Sequence, residues 1–214
     1  MPNTSATGGW LQPTGKIAAQ ASDSDLDDLL QQAVVGITGL AGELVRPRFQ
    51  RTPPQQPPNP DTNWCAIGVR DEDPDDNAAM IHHGSGDEGD TDTGPLSGGW
   101  TESQRHVDLD VLASFYGKGA RAMAGVLRDG LGIAQNRDML RASGLAFISV
   151  GKPVITSDLI SNQWRARVDL PIKFRRQVSR SYAIRNINKG VGEIVSDSTP
   201  DPVNHPAREP WQAP

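Results

Sequence analysis

Cysteine is almost absent from this chain: Cys65 is the only one in 214 residues. It can form no intrachain disulfide and no zinc site by itself, so the expectation is a small buried strand residue. Long apolar runs are missing too. No stretch reaches the roughly 18 residues that a membrane helix needs. The opening MPNTSATGGW lacks the basic and apolar regions of a signal peptide, which points to a soluble protein made in a reducing cytoplasm. Apolar residues reach only 36 %, so part of the chain should be exposed arm or loop, or be buried by a partner. No local Ser-His-Asp or Cys-His signature occurs, so neither catalytic residues nor a cofactor are expected.

What is present is proline, glycine and unevenly placed charge. Pro and Gly number 17 and 22, high for a compact enzyme but below a low-complexity share. Net charge is −5. Residues 1–110 hold 18 acidic and 6 basic side chains. Residues 161–190 hold eight basic ones against Asp169 alone. Such asymmetry suits a subunit that pairs unlike faces with its neighbours.

Hydrophobic periodicity gives the elements. Residues 1–22 read as an N-terminal arm. A helix begins at Asp23-Ser24-Asp25 with Ser24 as cap, carries Leu26, Leu29, Leu30, Ala33, Val34 and Ile37 at helical spacing, and stops at Gly39. Residues 44–50 read as a strand with Pro47 inside, hence a sheet edge or an arm paired with another subunit. A stiff Pro-rich segment, 52–60, follows. Residues 63–70 form the next strand, which the acidic DEDPDDN run should break, and 78–83 a short one. Residues 71–99 as a whole are expected to be an acidic, mobile loop region.

Residues 102–116 alternate cleanly, with Val107, Leu109, Val111, Ala113 and Phe115 on one side and His106, Asp108, Asp110 and Ser114 on the other. A helix over 120–134 has the stripe Ala120, Met123, Ala124, Leu127, Leu131 and Ala134, and Asn136 caps a short helix over 137–142. Strands are expected at 145–150 and from Trp164 to Arg176 or beyond, the latter with even-numbered apolar residues on one face and Arg165, Arg167, Asp169, Lys173 and Arg175 on the other. Residues 189–214 read as a Pro-rich tail. The economical arrangement is α+β: a mixed, largely antiparallel sheet with helices packed on one face, extended arms and a C-terminal tail.

Motif by motif, the bland reading prevails. GSGDEG (84–89) fits GxGxxG, but Asp87 and Glu88 would meet the phosphate. Asp71, Asp73 and Asp75 have calcium-loop spacing, yet Asp76 stands where glycine is needed and His82 where a bidentate acid is needed. His82 and His83 are adjacent and face opposite sides of a strand. His106, Asp108 and Asp110 share a face and could hold a metal, the basis of a small metal-dependent hydrolase reading. The basic 165–189 patch could contact DNA phosphates, the basis of a double-stranded DNA-binding reading. Its aromatic neighbours lie on the apolar face, away from the arginines, so it suits an acidic protein neighbour better. Arg175, Arg176 and Arg180 cannot all be neutralised by Asp169.

The stretch GLAGELVRPRFQRTPPQQPPNPDTNWCAIG, 39–68, resembles a segment of the phage neck terminator (tail terminator) family of tailed bacteriophages. LRDGLGIAQNRDMLRASGLAF and WRARVDLPIKFRRQVSRSY resemble its later blocks, and the likeness covers roughly residues 24–188. The resemblance implies a structural virion protein, assembled in the host cytoplasm. It would form a ring, a hexamer as in known tail terminators, that caps the tail tube, ends its polymerisation and joins the tail to the head. Implied partners are further copies of itself, the tail tube protein, a head-completion or connector protein, a sheath protein if the tail is contractile, and genomic DNA passing through without sequence-specific binding. On that reading the expected contact residues are Arg46, Pro47, Arg48, Phe49, Trp64, Arg165, Arg167, Arg175, Arg176 and Arg180. Asp71, Asp73, Asp75, Asp76, Asp87, Glu88 and Asp90 would line a channel or a mobile loop.

Overall fold

The computed structural model describes residues 9–13, 23–49, 57–84, 99–160, 163–184, 191–192 and 211–212. The chain divides into two units, Gly15–Ile81 with Glu102–Arg180, and Met1–Thr14 with His82–Thr101 and Ser181–Pro214.

In the larger unit, helix α1 (Asp23–Thr38) buries Leu26, Leu30 and Val34, the apolar face foreseen from spacing. Ser24 falls inside the first turn instead of capping it. Gly39, at φ +72°, ends the helix, its N–H donating to Val35 O at 2.9 Å. A 3-10 turn (Gly42–Leu44) then leads into β1 (Val45–Pro47). The expected strand 44–50 is thus cut to three residues: Leu44 belongs to the turn. Beyond Pro47, which has no N–H, one more bond, Arg48 N–H to Ile67 O at 2.7 Å, continues the pairing. β1 lies parallel to β2 (Trp64–Pro74) at a sheet edge.

β2 does not break at the acidic run. It pairs antiparallel with β4 (Trp100–Tyr116), shifts register between Val69 and Asp71, and resumes with Asp71 opposite Asp110 and Asp73 opposite Asp108. β4 has 17 residues, long enough to carry the pairing on, and the exposed carboxylates stay in water. β3 (Ala79–His83) also pairs with β4.

Gly117 turns the chain into α2 (Ala120–Leu131). Its φ is +97°, and a Cβ there would run into the Thr62 carbonyl. α2 stops three residues earlier than expected, at Leu131, and α3 (Ala134–Ala142) starts earlier. Ala134 is exposed at the start of α3, and Asn136 is no cap. Its Nδ2 donates to Gly130 O at 2.8 Å, tying the two helices across the turn.

β5 (Leu145–Val150) and β6 (Val154–Ile160) run end to end along β7 (Gln163–Ala183), both antiparallel to it. Val150 faces Ile172 while Val154 faces Asp169, so one extra residue is accommodated opposite Pro171. Within β5 the register shifts once more, between Phe147 and Ser149. The sheet order is β1-β2-β4-β7-β5: a mixed, largely antiparallel α+β unit. Its core joins α1, α2 and Leu140 of α3 to the odd residues of β4 and the even residues 168–174 of β7, with Phe115 and Phe174 the largest fully buried side chains. Each such side chain contributes about 1.5–3 kcal/mol on burial.

In the smaller unit, His83 stacks on Trp100 with ring centroids 3.7 Å apart, and His82 Nδ1 and Thr101 Oγ1 share a 2.8 Å hydrogen bond. β8 (Val191–Gly192) pairs with β9 (Trp211–Gln212), a pairing the proline-rich composition did not suggest. Residues 52–56 of the Pro-rich segment lie outside the described residues, as do Asp87, Glu88 and Asp90.

Candidate interaction surface

With the helices on one side, the other face of the larger unit's sheet displays the even residues of β4 and the odd residues of β7. These form a ladder of opposite charges. Arg175 grips Asp108 through Nε and through Nη2, the latter at 3.0 Å. Asp110 lies 3.4 Å from Lys173 and 3.6 Å from Arg70. His106 lies 3.7 Å from Asp75. The pairs run in opposite order along β4 and β7, as antiparallel neighbours require. The hydrogen bond from Arg175 holds the Asp108 carboxyl below the usual carboxylate range.

Towards the other end of β4 the ladder becomes a half-buried network. Arg167 Nη1 donates to both oxygens of Asp158 at 2.7 Å, and its Nη2 lies 3.0 Å from Asp169. Burial works against this guanidinium's charge, but the two carboxylates outweigh it and raise the Arg167 pKa. Ser114 Oγ donates to Asp169 at 2.6 Å and accepts from Arg48 Nη1 at 2.6 Å. Tyr116 donates to Asp158 at 3.3 Å and stacks on Trp64, centroids 4.3 Å apart. Burial, reinforced by Asp158, pushes the Tyr116 phenol up.

The basic strand is therefore largely neutralised within its own chain, against expectation. Asp169 is not its sole counter-charge: Asp108, Asp110 and Asp158 answer it across the sheet. Arg176 departs further. It lies on the core face of β7, opposite Leu145. It is 6 % exposed and donates through Nη2 to Glu72 at 2.9 and 3.1 Å. Among the described residues, Arg180 and Arg165 form no ion pair.

Other sequence candidates are scattered. Trp64 is buried. Arg46 Nε donates to Glu43 O at 3.0 Å, and Pro47 closes β1. Phe49 is exposed beside a groove of about 560 Å³ that Leu26, Val69 and Glu72 also line. Asp71 and Asp73 are strand residues and not a calcium loop, and Asp75 and Asp76 sit exposed beyond β2. His106, Asp108 and Asp110 share a face as read, but each meets its own partner. No group of three potential ligands converges among the described residues. Cys65 is buried, and burial, opposed by Arg48, raises its thiol pKa.

Sequence reasoning missed Glu72, Tyr116 and Asp158. Each matters through a neighbour across the sheet, which composition along one strand does not reveal. Trp164 was placed on the core face. It does share that face, but burial begins only at Val168, leaving Trp164 74 % exposed.

A search of curated proteins finds no match. The family described as phage neck terminator protein matches residues 24–198. That span takes in every element from the first turn of α1 through β8 and extends ten residues past the end of the resemblance noted from sequence. The chain belongs to the phage neck terminator family, a structural family of the virion neck that works in contact with other head and tail components.

Proposed function

We propose that the chain is the ring subunit that caps the completed tail tube, stops its polymerisation and joins it to the head-completion ring, leaving a channel for DNA. The family match over residues 24–198 carries this reading. The work is geometric: a head-to-tail contact repeated by rotation closes a ring that matches the tube on one face and another component on the other. Copies of itself, the tail tube protein and a connector protein are the partners. A sheath protein joins them if the tail is contractile.

The charge ladder favours this reading over a DNA-binding factor. Cations already matched by Asp108, Asp110, Asp158 and Asp169 release few counterions on meeting phosphate, so the affinity gained is small. A metal-dependent hydrolase gains nothing from His106, Asp108 and Asp110, which face separate partners. The test is a phage lacking this chain, examined by electron microscopy with and without complementation. Its absence should give tails of uncontrolled length and heads without tails. Tails of normal length joined to heads would overturn the proposal.

A further inference from the structure

β7 is longer than the strands that cover it. β6 pairs with residues 163–169 and β5 with residues 172–176, and among the described residues no strand follows them in that column. From Gln177 to Arg180 the backbone of β7 therefore has an open edge on the side away from β4. The vacancy is a notch of about 550 Å³. Gln177 and Ser179 line it from β7, Gly144 and Ala146 from the entry to β5, and Arg141 from the last turn of α3. Arg175 and Arg176 line it too, but Asp108 and Glu72 match their charges. Two further cations at the notch are less committed. Arg141 lies 3.5 Å from Asp138, with both side chains mostly in water. Arg180 shares the helix-side face of β7 with Val178, is exposed, and forms no ion pair among the described residues.

We propose that this notch takes an extended acidic segment of a neighbouring head or tail protein, added to β7 as a strand in line with β5. The inference deepens the neck reading by naming how one of its partners is held. Backbone pairing along an open edge supplies affinity whatever the sequence, and the alternate side chains supply the choice. On the helix side those side chains meet Arg141 and Arg180, so an acid there is attracted and a basic segment is repelled. The other edges of the sheet fit worse. β5 and β6 carry Asp158 as their one charge, and Arg167 already holds it. β2 beyond Ile67 is acidic, shifts register after Val69 and ends in Pro74. Its Glu72 N–H is taken up by Asp71 Oδ1 at 3.0 Å. Charge, bulge and proline are the devices that guard an edge against pairing. Gln177 to Arg180 has neither proline nor acid.

The test uses the full chain and two synthetic peptides, one alternating valine with glutamate, the other with lysine in place of glutamate. The glutamate peptide should slow amide hydrogen exchange at 177–180 and leave β5 and β6 as they were. The lysine peptide should bind about tenfold more weakly. Arg180→Glu changes an exposed side chain, so the fold stands, and it should reverse the preference between the peptides. Equal binding of the two, or a glutamate peptide that leaves exchange at 177–180 unchanged, would overturn the inference. Slowing that needs no peptide and grows with the concentration of the chain itself would assign the notch to another copy, and would overturn it too. The neck reading survives each of these failures. It falls only if a phage lacking this chain builds normal particles.

Discussion

Arg176 sits on the core face of β7 with both Glu72 oxygens within hydrogen-bond reach. Removing one member of a buried pair strands the other, which costs about 3–5 kcal/mol when both are enclosed. Glu72 keeps 42 % of its side chain exposed, so solvent takes up part of that cost. Arg176→Ala should lower unfolding free energy by about 1–3 kcal/mol, read from urea denaturation. Arg176→Met combined with Glu72→Gln should recover most of it, and strict additivity of the two single losses would refute the coupling. Arg175 and Asp108 behave differently because they lie nearer water. The folded-state pKa of Asp108 is depressed, so its stabilisation is complete above the unfolded value of about 3.9. It is lost as pH falls through the lower folded value. Arg175→Gln should therefore lower the urea midpoint at neutral pH, less so in high salt, and the difference should begin to shrink as pH falls below about 4 and vanish only below the depressed folded value. A difference unchanged by acid would mean the ion pair is not its source.

Among the elements, the turn at Gly117 is the most constrained. Its φ of +97° and the Thr62 carbonyl at the Cβ position leave glycine alone at ease, while Gly119 N–H donates to Asn63 Oδ1 at 2.6 Å. Gly117→Ala should cost about 1–3 kcal/mol and lower the melting temperature. An unchanged melting temperature would show that the β4–α2 turn can be rebuilt. Elements whose signal is local were legible: the α1 stripe and the alternation of 107–115 follow from spacing. Elements decided by a neighbour were not. The acidic 71–73 run reads as a breaker until β4 supplies a strand for it to pair with. The α2–α3 boundary moved because Asn136 reaches back to Gly130 where a cap was expected. The candidate surface divided the same way: which face of β7 carries Arg165, Arg167 and Arg175 was legible, but what those cations meet was not, since Asp108, Asp110 and Asp158 lie on other strands.

At the scale of the whole molecule, cross-strand pairing removes most of the basic charge of 161–180 from the list of surfaces a partner can use. Reversing Arg175 or Arg176 would disturb the subunit itself, and a failure to assemble would then say nothing about docking. Arg180 is the better probe. It is exposed near the end of β7 and forms no ion pair among the described residues. A single surface pair contributes only about 0–1 kcal/mol, but the proposed ring would present it once per subunit, and simultaneous engagement multiplies weak contacts into stable docking. Arg180→Glu should leave the melting temperature and ring formation as in the parent, while complementation of a phage lacking this chain yields capped tails and filled heads that accumulate apart. Normal infectious particles from Arg180→Glu would show that this cation is merely solvated.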